Sequence, residues 1–167
     1  MLKATKMAGV FFLIMLMATS PVMGQFPIFQ NSLVGKKAPD FNLLTLSGKT
    51  VKMSDFRQGK DAIIFFWATW CPHCRTQLKQ LGEQRAQLEK KGWKIMLVDI
   101  GENPAQVEAF MKKQNNTLDV FLDVENKVSD EYQIIGVPTF FIVNKEGVVK
   151  AVEHALPSNL DKILKSE

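Results

Sequence analysis

The sequence predicts an α/β sandwich around a mixed sheet. Three observations carry that reading. Residues 61–67 and 93–100 are short and almost wholly apolar, as strands buried on both faces must be. Between and after them run stretches with apolar residues at helical spacing. Two strand-like segments flank Asn144-Lys145-Glu146-Gly147, a hairpin signal, and a last helical stretch follows. With 46% hydrophobic and 23% charged residues, one ordinary globular domain is expected rather than a disordered or fibrous chain.

Taken in order, residues 1–24 read as an export signal. Lys3 and Lys6 precede an apolar stretch at 7–18, and Val22 and Gly24 stand at −3 and −1 of a cleavage site before Gln25. The apolar stretch is shorter than the roughly 17–25 residues that cross a bilayer, and an uncleaved N-terminal anchor is the alternative. Five of the eight methionines fall in this segment, so they form no soft-metal box. Export implies a periplasmic or other extracytoplasmic location, where two cysteines can form a disulfide. Without Lys3 and Lys6 the formal charge of +4 falls to +2, too little to argue for nucleic acid or an anionic surface.

Residues 25–37 show no regular period and read as a mobile lead-in, with 25–33 as linker to a domain at 34–165. Residues 41–46 and 50–53, around Ser47-Gly48-Lys49, form a hairpin pattern. After the apolar run at 61–67, Leu78, Leu81 and Leu88 mark a helix over 75–90 that stops before Gly92. The apolar run at 93–100 leads to a helix at 104–114, with Val107, Phe110 and Met111 on one face and Asn103 as cap. Residues 119–122 are short and apolar, and 128–132 suit a short helix. Residues 139–143 and 148–152 form the closing hairpin, and Ser158 opens the last helix, with Asp161 approximating a capping box.

The chemistry concentrates where the first apolar run meets the first long helix. Both cysteines of the chain lie in Trp70-Cys71-Pro72-His73-Cys74. Cys71 is expected at the helix N-terminus, where unpaired N–H groups and the positive dipole end favour a thiolate. Cys74, three residues on, shares its face and is within disulfide reach. Pro72 suits a first helical turn because it has no N–H to leave unpaired. The pattern is that of a reversible dithiol/disulfide switch. A structural zinc site would need four ligands, and His154 is the only His outside the motif. A purely structural disulfide would close a very short loop and stabilise little.

Three motifs in order give a family resemblance over most of residues 34–164. They are Gly35-Lys36-Lys37-Ala38-Pro39-Asp40-Phe41, Phe66-Trp67-Ala68-Thr69-Trp70-Cys71-Pro72-His73-Cys74 and Gly136-Val137-Pro138-Thr139-Phe140. The chain resembles TlpA/ResA-type thioredoxin-like thiol-disulfide oxidoreductases, in the redoxin or AhpC/TSA-like branch of the thioredoxin superfamily. Peroxiredoxins share the Ala-Pro-Asp-Phe segment but place a lone peroxidatic cysteine without Trp-Cys-x-x-Cys. The resemblance implies a thioredoxin-like fold, helices on both faces of the sheet, an N-terminal β-hairpin extension and a helix/strand insertion.

It also implies roles. Cys71 would be the exposed attacking thiolate and Cys74 the resolving thiol, with Trp70 flanking them as a contact surface. Val137-Pro138 would form a cis-proline loop against the dithiol, and with Thr139 would bind substrate backbone. The redox-active disulfide would be the only prosthetic element, with no metal and no bound cofactor. Protein thiol or disulfide clients and a membrane electron-transfer partner would follow, with the protein working as a monomer in envelope thiol reduction, including a cytochrome c maturation-like role. His73 points the other way, since Cys-Pro-His-Cys resembles DsbA-type dithiol oxidases, and a histidine stabilising the Cys71 thiolate makes the disulfide more oxidising. A Sco-like copper metallochaperone using His154 is a further alternative, although that family spaces its cysteines differently.

Two departures bear on proton handling. Thioredoxin's buried acid on the strand before the site aligns with Phe65. The Glu and Pro common after this family's CxxC correspond to Gln77 and Lys79. Glu83 and Asp99 are the candidate replacements. Asn115-Asn116-Thr117 matches a glycosylation sequon, a frequent chance tripeptide.

Overall fold

The computed structural model describes residues 31–165; the expected export signal at 1–24 lies outside them. Twelve elements follow one another: β1 (Asn42–Thr45), β2 (Thr50–Lys52), α1 (Met53–Arg57), β3 (Ala62–Trp67), α2 (Pro72–Lys90), β4 (Lys94–Ile100), α3 (Pro104–Lys113), β5 (Val120–Asp123), α4 (Lys127–Glu131), β6 (Thr139–Val143), β7 (Val149–Glu153) and α5 (Leu160–Lys165). The strands form one mixed sheet in the order β2-β1-β5-β4-β3-β6-β7. Its centre, β5-β4-β3, is parallel, and both flanks are antiparallel.

Strand alternation divides the core into two layers. Ile63, Phe65 and Trp67 of β3 face the same side as Ile95 and Leu97 of β4, where Leu78, Leu81 and Leu88 of α2 and Val107 and Met111 of α3 cover them. Ala62, Ile64 and Phe66 face the other side, with Met96, Val98 and Phe141, under Met53 of α1 and Val128 of α4. Helices therefore cover both faces, and β3, buried at every position, is the hydrophobic axis of the protein. Phe65 and Phe140 stack across β3 and β6 with ring centroids 4.2 Å apart.

Helix α1 extends what the sequence marked only as the end of a hairpin. It is five residues long, too short for a helical period to show, and it turns Met53 and Arg57 inward. Arg57 Nη1 then donates to the carbonyls of Lys60, Asn144 and Lys145, pinning the β6–β7 turn to α1. The described part of the expected mobile lead-in is tied down as well. Asn31 Nδ2 donates to Tyr132 O, Gly35 N–H to Val149 O, and Val149 N–H to Lys36 O, so residues 31–37 run along β7 and the end of α4. Asn103 caps α3 through Ala105 N–H, as expected. Asp161 departs from the expected capping box: its carboxylate pairs with Lys91 Nζ at 3.0 Å, tying α5 to the end of α2.

Candidate active site

Helix α2 begins where β3 ends, and four residues, Ala68 to Cys71, make the turn between them. Cys71 is the N-cap residue. Its backbone is extended, its sulfur accepts the N–H of Cys74 at 3.1 Å, and Pro72 stands at the first helical position. Cys71 and Cys74 form a disulfide, with Cα atoms 5.2 Å apart. The first turn of this 19-residue helix carries no acidic side chain to offset its positive end at the sulfurs. Such an environment lowers the free energy of a thiolate at Cys71 and thereby favours its reactions as attacker or leaving group.

Three neighbours shape access to the pair. Trp70 is 61% exposed and stands beside it. Val137–Pro138 is a cis peptide bond, and Val137 O lies 3.7 Å from Cys71 Sγ, so the loop before β6 meets the dithiol directly. Thr139 Oγ1 donates to Gly136 O and closes that loop, while His154 Nδ1 stands 3.0 Å from Pro138 O and 3.3 Å from Thr139 Oγ1. The sequence offered His154 only as the copper ligand of a Sco-like alternative; its ring braces the loop from just past the end of β7. Among the described residues no group of three or more His, Cys, Asp or Glu side chains is arranged to hold a metal.

The expected exposure of Cys71 needs correction. Cys71 is only 4% exposed, and Cys74 is fully buried. In the disulfide, Cys71 Sγ lies 3.7 Å from the Val137 carbonyl. His73 and Pro72, by contrast, are solvent-exposed on the outer side of the same turn.

Tertiary structure separates the two candidate acids. Glu83 is exposed and sits 3.9 Å from Lys79 on the outer face of α2, away from the dithiol layer. Asp99 is 1% exposed at the end of β4, directly across from Trp67 and on the same sheet face as Ile95 and Leu97. Burial, then the neighbouring Glu102 carboxyl, push its carboxyl up to about 8. Both Asp99 oxygens and Trp67 Nε1 are buried without a hydrogen-bond partner. Gln77, at the position of the family's glutamate, accepts from Leu156 N–H at 2.7 Å and ties α2 to the segment before α5.

Glu102 and Thr69 were not singled out in the sequence. Glu102, buried in the β4–α3 connection, accepts from both the N–H and the Oγ1 hydroxyl of Thr69, and from Gln106 Nε2 at 2.7 Å. Arg75 Nε donates to Thr69 O at 2.7 Å and its guanidinium lies over Phe110. Thr69 is thus held on every polar atom. The only signal available beforehand was an acidic residue in a Gly-Glu-Asn-Pro connection following a buried strand.

Comparison with known proteins agrees with this geometry. Residues 34–152 match the model of the AhpC/TSA family. The thiol-disulfide oxidoreductase ResA of Bacillus subtilis is 34% identical over 127 residues, covering 75% of this chain and 70% of its own. ResA of Geobacillus kaustophilus is also 34% identical, over 71% of this chain and 68% of its own. Among solved structures, StoA of Bacillus subtilis superposes with a TM-score of 0.63 at 26% identity, over 75% of this chain and 94% of its own. A thiol:disulfide interchange protein of the thioredoxin family from Chlorobium tepidum gives 0.66 at 26% identity, over 77% and 93%. The chain belongs to the AhpC/TSA family and, within it, is a thioredoxin-like thiol-disulfide oxidoreductase of the ResA type.

Proposed function

We propose that this protein is exported and reduces disulfides of proteins in the cell envelope, with Cys71 as attacking thiolate and Cys74 as resolving thiol. The observation that carries the reading is the placement of Cys71 Sγ at the N-terminus of α2, 3.7 Å from the Val137 carbonyl. In the reduced protein the Cys71 thiolate attacks one sulfur of a client disulfide. The client S–S bond breaks, a Cys71–client disulfide forms, and one client sulfur leaves as thiolate. Cys74 then loses its proton and attacks Cys71 Sγ. The internal disulfide re-forms and the second client sulfur departs, so two electrons pass to the client.

The backbone at Val137 offers an edge to an extended client segment beside the sulfurs, and exposed Trp70 gives that segment an apolar flank. Because Cys71 is nearly covered when oxidised, the client is released onto a surface that presents little of the sulfur. The protein would be recharged by a membrane electron donor, with apocytochrome c as one client class. Residues 1–24 would direct export, by cleavage or as an anchor, and Cys71–Cys74 would suffice without a bound cofactor.

Cys71→Ser is expected to abolish reduction of insulin disulfides by the reduced protein; unchanged turnover would overturn the assignment. Equilibration against glutathione decides direction. A potential near the roughly −270 mV of thioredoxin supports the reductant, and one near the roughly −120 mV of DsbA, falling in His73→Pro, reassigns the protein as an oxidase.

A further inference from the structure

Three segments converge on Thr69, the second residue of the four-residue turn between β3 and α2. Glu102, in the β4–α3 connection, accepts the Thr69 N–H with one carboxylate oxygen. Its other oxygen accepts the Thr69 hydroxyl at 2.6 Å, the length of a hydrogen bond to an ionised carboxylate. Gln106 of α3 donates to that same oxygen at 2.7 Å and to Thr69 Oγ1 at 3.2 Å. Arg75 of α2 donates its Nε to Thr69 O at 2.7 Å, and its guanidinium rests over the Phe110 ring of α3. Thr69 and Glu102 are both buried, so water competes little for these bonds. Of the turn's other residues, Ala68 is apolar, Trp70 is exposed, and Cys71 N–H bonds within the turn, to Ala68 O at 3.3 Å. The disulfide separates the two redox states. While it is intact, the Cys71 sulfur is fixed covalently to Cys74 in the first turn of α2. Once it is reduced, the sulfur's place at the helix N-terminus depends on where the turn sits, and a displacement of about 1 Å at a reacting group can cost about 100-fold in rate.

We propose that Glu102 and Arg75 are positioning residues for the redox reaction: by gripping Thr69 at its N–H, hydroxyl and carbonyl, they hold the Cys71 thiolate of the reduced protein at the start of α2. They act through Thr69 rather than on the sulfurs, and the proposal rests on Cys71 being the attacking thiol. The clamp contributes to both redox states. Loosening it costs the reduced state more, because the thiolate then also leaves the unpaired N–H groups and the positive end of α2. Without the clamp the dithiol is disfavoured, so the disulfide is harder to reduce and the thiolate is slower to attack.

The test compares the full-length wild type with Glu102→Ala, Glu102→Gln and Arg75→Ala. Two quantities are read: the Cys71–Cys74 reduction potential against glutathione, and the rate at which iodoacetamide alkylates the reduced protein at neutral pH, with the modified cysteine mapped by mass spectrometry. Glu102→Ala is expected to slow alkylation of Cys71 about ten-fold or more. It is also expected to shift the equilibrium about ten-fold toward the disulfide, which lowers the potential by about 30 mV. Arg75→Ala, which removes a single bond to Thr69, is expected to do the same by a smaller factor. In Glu102→Gln the amide oxygen can still accept the Thr69 N–H and the amide nitrogen can donate to the Thr69 hydroxyl, so most of both losses is recovered. A residue that only stabilises the fold would weaken both redox states equally in urea and leave potential and rate unmoved; that result in Glu102→Ala overturns the proposal. Should Glu102→Ala not fold, hydrogen exchange at the Thr69 amide of the reduced wild type decides, since exchange at the rate of an unprotected amide means that no clamp holds the reduced turn. First alkylation on Cys74 in the wild type overturns the reading of Cys71 as attacker, and the proposal with it; unchanged rates on Cys71 overturn the proposal alone.

Discussion

Asp99→Asn should alter the pH dependence of stability more than any other single substitution at the site. An aspartate in the unfolded chain titrates near 4, whereas Asp99 in the fold is pushed up to about 8. The folded state therefore keeps a proton that the unfolded state has released. Stability present below pH 4 is lost progressively as pH rises toward 8, because the unfolded chain binds fewer protons over that window. Each unit corresponds to about 1.36 kcal/mol, so between pH 4 and pH 7 the wild type gives up roughly 4 kcal/mol through this one group. That is a large part of the 5–15 kcal/mol typical of a domain. Asparagine does not titrate. The variant, compared with wild type, should gain about 4 kcal/mol over the same interval, whatever its offset at pH 4. Urea unfolding of both proteins with the disulfide intact, at pH 4, 5.5, 7 and 8.5, measures the difference directly. Parallel profiles would show that Asp99 ionises normally and would refute the linkage.

Other perturbations test the remaining links. Cys74→Ser should trap Cys71 in a mixed disulfide with a client, seen as a mass adduct that dithiothreitol removes; absence of the adduct would deny Cys74 its resolving role. Gly101→Ala forces a side chain into φ 70° and brings its Cβ 2.9 Å from Asn126 Oδ1, a contact that must shift. It should cost about 1–3 kcal/mol in urea unfolding and slow insulin reduction by displacing Glu102. Leu81→Ala empties a fully buried position of α2 against the sheet and should cost about 2–5 kcal/mol, measured the same way; a loss below 1 kcal/mol would contradict the packing described.

Much of this protein was legible locally. The hydrophobic runs that became β3 and β4 are buried on both faces, and that demand leaves almost no polar residue to obscure them. Cys71 as N-cap, Pro72 at the first helical position and Asn103 as the α3 cap follow from requirements satisfied within four residues of chain. Short elements were harder. Met53–Arg57 has too few residues to show a period, and its helix is secured by Arg57 reaching the distant β6–β7 turn.

What the amino-acid sequence determined by itself was the chemistry available: two cysteines at a helix start, a tryptophan before them, and a Val-Pro segment beside a strand. Tertiary structure decided how that chemistry is governed. Glu83 and Asp99 are both acids close to buried elements in sequence, but α2 turns Glu83 to solvent while the β-sheet alternation of β4 turns Asp99 inward beside Trp67. Parallel pairing of β3 and β4 then brings the connection after β4 against the turn after β3, so Glu102 meets Thr69 across 33 residues of chain. Burial and proximity between distant segments, which no local pattern encodes, made an ordinary aspartate into a buried acid that holds its proton at neutral pH.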